Sequence, residues 1–348
     1  MPGPHNTIPF TTIVFNQKEN VITILDQTRL PEKEVYVTLK TIDDIYTAIR
    51  TMQVRGAPLI GITAANGIAM ASSNSDPATI ISAADHLATA RPTAVNLAWA
   101  VKRMKQKVTT TASTMRSVLV QEALAIQAED RQACHHIGEY GAALIPDNTA
   151  VMVHCNAGAL ATSGIGTALG IIYTKAMQKN PVRVFANETR PRLQGARLTA
   201  WELTRCGIDT CVVCDTMAAT YIQQASAVLV GADRIAANGD TANKIGTHNL
   251  AILAKHFQIP FYVAAPTSSF DLSCAVGSDI IIEHREENEV RIFNDMIIVP
   301  EKASVLNPAF DVTPFALVTA FITERGVIYP PFAENISVSN RAGKENSE

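Results

Sequence analysis

The sequence predicts an α/β protein, with a mainly helical first part carrying a small β element and a later part built on a parallel sheet covered on both faces. Two patterns carry this. From Ile42 to about Ile145 apolar residues recur at helical spacing, whereas from Ala150 onward short apolar runs alternate with helical stretches. The length, 348 residues, is a third indication, since it suits one large domain or two modest ones. A chain this long buries enough surface to fold without disulfides or metal as staples. The expected division is 1–140, mainly α with short leading strands; 141–332, α/β; and 333–348, a polar, aperiodic tail expected to be unstructured.

Taken in order, Thr11–Asp26 alternates as two short strands around the polar turn Asn16–Asn20. Ile42, Ile45, Ile49 and Met52 mark one helix, and Leu97, Val101 and Met104 another. Asp76 before Pro77 is a helix cap with proline in the first turn, and Pro92 marks a further helix start. A helix through Glu129–Leu144 can bridge the two parts. Strands follow at Ala150–His154, Val182–Ala186, Thr210–Cys214, Val228–Val230, Pro260–Ala265 and Asp279–Ile282. Helices are expected at Gly166–Met177, Gly195–Cys206, Met217–Gln224, Gly246–Phe257 and Phe315–Glu324. This alternation implies right-handed βαβ units.

Composition removes several function classes. With 29 Lys+Arg against 32 Asp+Glu, the net charge of −3 lacks the basic excess of a nucleic-acid protein. Hydrophobic residues at 47% and charged residues at 18% exclude general disorder. The opening Met-Pro-Gly-Pro-His-Asn-Thr shows neither a basic nor an apolar segment of a secretory signal. The most membrane-like window, Ala150–Ile172, is interrupted by His154, Asn156, Thr162 and Ser163, so no membrane partner is expected. Six irregularly spaced cysteines do not make a disulfide framework. Cys206, Cys211 and Cys214 mimic a metal spacing, but on a short strand i and i+3 face opposite ways, so no metal site is expected. A cytoplasmic location follows as the expectation.

In open parallel sheets, ligands bind beyond the carboxyl ends of the strands. Polar residues follow five of the apolar runs, at His154-Cys155-Asn156, Asn187–Arg190, Asp215, Asp233-Arg234 and Thr267-Ser268. They predict one crevice lined by Cys155, Glu188, Asp215 and Asp233. Gly158, Gly164, Gly166 and Gly170 lead into a helix, which fits either an anion at the helix N-terminus or tight helix–sheet packing. The dinucleotide fingerprint fails at Leu169, and no P-loop is present. Arg55-Gly56-Ala57-Pro58 and Arg91-Pro92-Thr93 each precede a helix, and Arg190, Arg192 and Arg197 follow a strand. Arginine forks at helix starts favour a small phosphorylated ligand over solvated surface charge. Cys155, at a strand end beside a glycine-rich helix start, is either a thiol of depressed pKa or an inert buried one. Asp233 is either a carboxyl kept protonated by an apolar crevice or the partner of Arg234. His154 is expected in packing.

At these residues the chain resembles a known family. Met52–Gly61 (MQVRGAPLIG), Arg91–Met104 (RPTAVNLAWAVKRM), His154–Gly170 (HCNAGALATSGIGTALG), Asn187–Leu203 (NETRPRLQGARLTAWEL), Val230–Leu253, Pro260–Pro266 and Asn307–Ile328 are similar to methylthioribose-1-phosphate isomerases of methionine salvage. That fold is shared with regulatory subunits of the translation-initiation guanine-nucleotide exchange factor, which gives a non-catalytic sugar-phosphate or nucleotide sensor as the alternative reading. The resemblance implies a Rossmann-like second domain, a homodimer, and aldose-to-ketose conversion of a sugar phosphate without metal or redox cofactor. It implies Asp233 as proton donor and Cys155 as transition-state stabiliser. Arg55, Gly56, Ala57, Arg91, Gln194, Asn243 and Lys244 are implied as substrate binders. Ser268–Asp271 and Asn294–Leu306 depart from the pattern and are expected to line the pocket for the sugar's C5 substituent. A 5-deoxyribose 1-phosphate isomerase with the same core is the second alternative.

Overall fold

A computed structural model describes residues 8–73, 76–109 and 112–345. The opening seven residues, where no secretory signal was expected, and the last three of the tail lie outside the described residues.

The chain begins with β1 (Ile13–Asn16) and β2 (Val21–Leu25), a hairpin in the register Ile13↔Ile24. Here β3 (Tyr36–Leu39) adds a third antiparallel strand. The alternation of the sequence did not reveal it, because Tyr36 is exposed and only Leu39 is buried. Then come α1 (Ile42–Arg50), α2 (Ala57–Ala71), α3 (Pro77–Ala88), α4 (Val95–Gln106) and α5 (Ala112–Ala142). A capping box closes the start of α1: the Thr41 side chain accepts from Asp44 N–H, and Asp44 accepts from Thr41 N–H. Asp76 caps α3, with Pro77 at its first position. Pro92 does not open α4, which begins three residues later. Every residue of α2 from Leu59 to Met70 is buried, so α2 is the axis of the helical layer. The 31-residue α5 contains the expected boundary near residue 140. Its Leu119, Ala123 and Ile126 join the helical core, and Ile137 joins the core under the sheet.

After it, β4 (Ala150–Val153), α6 (Ala168–Met177), β5 (Arg183–Asn187), α7 (Ala200–Arg205), β6 (Thr210–Val213), α8 (Ala218–Tyr221) and β7 (Ala227–Val230) alternate as expected. Next are β8 (Arg234–Ala236), β9 (Thr241–Lys244), α9 (Thr247–His256), β10 (Phe261–Ala264) and β11 (Phe270–Asp271). The chain ends with α10 (Asn288–Arg291), β12 (Ile292–Phe293), β13 (Met296–Ile297), β14 (Phe310–Thr313), β15 (Ala320–Thr323), β16 (Gly326–Ile328) and α11 (Phe332–Glu345). The main sheet runs β16-β15-β10-β7-β4-β5-β6, parallel except at β16. All four residues of β7, β10 and β15 are buried, as a sheet covered on both faces requires. From β4 the chain winds outward through β5 and β6, then returns to β4's other side as β7. The β4/β7 junction is therefore the topological switch point, where such sheets bind ligands. A smaller sheet, β11-β8-β9-β14, stands beyond the end of β7.

Three expectations are corrected. Phe315–Glu324 is not a helix but a short 3-10 turn followed by β15. A continuous apolar run buried on both faces carries no period that separates strand from helix. Asp279–Ile282 forms no strand: Gly277–Asp279 is a 3-10 turn, and Ile281 is 77% exposed. The tail is helical through Glu345, because Phe332 and Ile336, one turn apart, are buried, with Phe332 edge-on to Phe321. The Ala150–Ile172 window is divided among β4, a 3-10 turn and α6, and no helix among the described residues is long and apolar enough to cross a membrane.

Candidate active site

Because β4 and β7 are neighbours, the residues that follow them meet at one edge. There Cys155 and Asp233 line a narrow cleft of about 70 Å³, which shares Pro58 and Pro266 with a groove of about 500 Å³. Cys155 sits at φ +60°, a strained value for a non-glycine residue. Two threonines hold it there: Cys155 N–H donates to Thr189 Oγ1 at 2.9 Å, and Thr199 donates to Cys155 O at 2.6 Å. Gln194 comes to the cleft on a loop that runs into a π-helical turn, Gly195–Thr199.

The helical layer supplies the opposite wall. Arg55, Gly56 and Ala57 lead into α2, and Arg91 precedes α4. Gly56 lies at φ +100°, and a Cβ there would stand 2.5 Å from Cα of Ala161. Only glycine lets the α2 start approach the loop after β4 so closely. Arg55 donates through Nη2 to Asn156 O at 2.6 Å and through Nη1 to Asn156 Oδ1. At the end of β9 are Asn243 and Lys244. The β9–β14 register pairs Lys244 with Phe310, placing Nζ 4.4 Å from the ring centroid. Lys244 Nζ also donates to Ala309 O at 2.9 Å. All nine residues implied by the family resemblance thus border one cleft.

Around this cleft stand Arg55, Arg91, Arg192, Lys244 and Arg285, with Asp233 as its one carboxyl group among the described residues. Burial pushes Asp233 up, against the pull of Lys244, Arg91 and Arg55. Burial also pushes the Cys155 thiol up, and Arg55 and Lys244 only partly offset it. Of the two readings the sequence left open for Cys155, the direction of this shift favours the buried, neutral thiol over the depressed one. A strand end beside a helix start promises a stabilised anion, but full burial outweighs two neighbouring cations. Desolvation pushes Arg55 and Lys244 down in turn, with Cys155 and Asp233 acting to hold them charged. Arg91 Nε and Gln194 Oε1 are buried at the cleft wall without a hydrogen-bond partner among the described residues.

Glu188 and Asp215 do not line the cleft, contrary to the crevice expected from the strand ends. Asp215 instead accepts from the N–H groups of Thr189 and Arg190, at 2.8 and 2.7 Å, and shapes the loop carrying Gln194. Arg197 Nη2 reaches Gln27 O, Thr28 O and Leu30 O, away from the cleft. Neither Ser268–Asp271 nor Asn294–Leu306 borders it; Ser268 lines the neighbouring groove. His154 does border it, yet both ring nitrogens are engaged: Nε2 donates to Ile245 O at 2.8 Å and Nδ1 faces Asn187 Nδ2 at 3.4 Å. Burial lowers its pKa, which favours the neutral ring. Among the described residues no three His, Cys, Asp or Glu side chains gather as a metal site needs.

Sequence reasoning missed an ion-pair chain. Arg91 bonds Glu283 at 3.0 Å, Glu283 bonds Arg285 at 2.9 Å, Arg285 bonds Glu289 at 2.7 Å, and Glu289 reaches Arg192 at 3.4 Å. Burial pushes Glu283 up, but Arg91 and Arg285 outweigh it and hold the carboxyl below its usual range. The dense charge of Glu283–Arg291 in a sparsely charged chain was the available signal.

Beneath the cleft, fully buried Glu202 is pushed by burial from 4.5 to about 7. A carboxyl raised in the folded chain stabilises most below its unfolded pKa. That contribution fades as pH climbs from 4.5 to about 7. The change is on the order of 3 kcal/mol at about 1.4 kcal/mol per unit. Urea unfolding of wild type and Glu202→Gln should show a stability difference that falls by that order across this window. A difference independent of pH would contradict the assignment.

Residues 53–330 match the Initiation factor 2 subunit family. A methylthioribose-1-phosphate isomerase from Caldicellulosiruptor saccharolyticus is 49% identical over 334 residues, covering 93% of this chain and 98% of its own. A 5-deoxyribose 1-phosphate isomerase from Moorella thermoacetica is 49% identical over 333 residues, covering 92% of this chain and 95% of its own. The crystal structure of 5-methylthioribose 1-phosphate isomerase from Pyrococcus horikoshii superimposes with a TM-score of 0.90 at 38% identity, covering 97% of this chain and 98% of that one. With its matched span, its identity to these relatives and its shared fold, the chain belongs to the initiation factor 2 subunit family, among that family's sugar-phosphate isomerases.

Proposed function

We propose that the cleft converts 5-methylthio-D-ribose 1-phosphate into 5-methylthio-D-ribulose 1-phosphate, with Asp233 as general acid and Cys155 as transition-state stabiliser. The observation that carries this reading is one partly buried carboxyl group set among five cations at the switch point. A sugar phosphorylated at C1 cannot open to a free aldehyde, so an acid must assist cleavage of the bond from C1 to the ring oxygen. Asp233 delivers its proton to that oxygen. Arg55, Arg91 and Lys244, with backbone donors at Gly56 and Ala57, hold the phosphate, and Gln194 and Asn243 bind the sugar hydroxyls. A phosphate dianion among those cations cancels the pull that holds Asp233 down, so substrate binding itself favours the acid's protonated form.

Once the ring opens, the hydrogen on C2 must reach C1. His154 is engaged at both nitrogens, the Cys155 thiol is pushed toward its neutral form, and Asp233 is committed as the acid. This favours migration as hydride over removal as a proton, because the one carboxylate of the cleft among the described residues, Asp233 once it has given up its proton, is the base used for the O2 proton. The hydride leaves C2 with its electron pair and bonds to C1. The O2 proton then passes to the Asp233 carboxylate, C2 becomes a ketone, and the acid is regenerated. A neutral thiol beside C2 stabilises the passing charge without intercepting it.

The equal identity of the 5-deoxyribose 1-phosphate isomerase supports turnover of that substrate too. Loss of one small apolar group is worth roughly 1–3 kcal/mol of discrimination. Proton NMR of each sugar phosphate incubated with the protein should show the anomeric signal replaced by a C1 methylene. Inactivity on both overturns the reading, and deuterium entering C1 from D2O overturns the hydride route. The reading includes a cytoplasmic homodimer. Support for a dimer comes from Leu272, Ile281, Met296, Ile297 and Leu306, large apolar side chains exposed between β11 and β14. A monomer in sedimentation would remove it.

A further inference from the structure

Glu202 does not line the cleft, yet it governs a residue that does. Its Oε2 accepts from Ala159 N–H at 2.8 Å and from Tyr173 OH at 3.0 Å, and its Oε1 accepts from Asn156 Nδ2. Thr199 Oγ1 stands 3.2 Å from the same Nδ2. That hydroxyl spends its proton on Cys155 O, so toward Asn156 it only accepts. With Glu202 ionised, both groups on that side of the Asn156 amide are therefore acceptors. They oblige Asn156 to turn its NH2 to them and its Oδ1 to Arg55, which donates to it. Arg55, gripped this way, bears electrostatically on both Cys155 and Asp233.

We propose that Glu202 is a positioning residue: by accepting from Asn156 it fixes the amide orientation that holds Arg55 against the thiol and the carboxyl group. The proposal rests on the reading of Arg55 as a group of the reacting site. A purely space-filling role for Glu202 predicts no such link. Glutamine separates the two. Its shape is the same, but one of its ends is an NH2 group. The backbone N–H of Ala159 needs an acceptor, so the glutamine oxygen stays there and its NH2 meets Asn156. The Asn156 amide must then turn over and present its own NH2 to Arg55. The titratable groups facing Glu202 are Tyr173 from α6, Cys206 just after α7, and Arg55 beyond Asn156.

The test is the pH dependence of Cys155 alkylation by iodoacetamide, read on its own peptide by mass spectrometry, in wild type, Glu202→Gln, Asn156→Ala and the double variant. Displacing Arg55 should raise the midpoint in Glu202→Gln, whereas mere removal of a negative charge would lower it. KM for the sugar phosphate should rise about tenfold, as expected when a charge-assisted contact loses its alignment. The double variant should be no worse than Asn156→Ala alone, because the two residues act in series. An unchanged or lowered midpoint in Glu202→Gln, or losses that multiply in the double variant, overturns the proposal. If Glu202→Gln does not fold, Asn156→Ala decides, and a wild-type midpoint there overturns it. A wild type inactive on both sugar phosphates would sink the proposed function, while the alkylation midpoints still decide the role of Glu202.

Discussion

Asp233→Asn is expected to lower kcat by roughly 10²–10⁴-fold, the usual worth of a positioned general acid, with KM unchanged or lower. Asparagine fills the same volume after β7, and the backbone bond from its N–H to Ala242 O, 2.9 Å in the wild type, is retained. It cannot protonate a ring oxygen. It also removes a carboxyl group that competes with phosphate for Lys244, Arg91 and Arg55, so the anion should bind no worse. A rise in KM with kcat preserved would instead mark Asp233 as a binding group.

Cys155→Ser is expected to cost roughly 10²–10³ in kcat, the scale on which a group acting in the transition state is felt. Stability should change by less than about 1 kcal/mol, since a nearly isosteric swap leaves the backbone bonds intact. The strained φ of +60° is held by Thr189 and Thr199 through backbone atoms, not through the sulfur. Serine therefore keeps the loop and loses only the polarisable thiol. Circular dichroism and steady-state kinetics on the same preparation separate these effects, and a variant with wild-type kcat would strip Cys155 of its role.

The strand ends were legible because a doubly covered sheet must be written as short apolar runs, and polar residues after such a run stand out. That rule located Cys155 and Asp233. It also nominated Glu188 and Asp215, because sequence shows where a strand ends but not which neighbours its end faces. The β4/β7 adjacency brings the first pair together and leaves the others at the side. The direction of the Cys155 shift was not legible for a related reason: helix starts and arginines can be read locally, whereas burial depends on distant chain, here the start of α2 and the end of β9. Ala320–Thr323 was read as helix because a fully buried strand has no polar face to set its period. Phe332 and Ile336 went unread as anchors in a stretch otherwise polar. Glu202 lies inside the motif Asn187–Leu203, but nothing in its local spacing reveals that Asn156, Tyr173 and Ala159 converge on it.

Acid catalysis in this cleft depends above all on Asp233 gaining a proton as the anion settles among the cations. Calorimetric titration with inorganic phosphate, in buffers of different ionisation enthalpy, measures that proton directly and needs no turnover. Wild type should take up more protons per phosphate bound than Asp233→Asn at the same pH. Equal uptake by the two proteins would contradict the acid role assigned to Asp233.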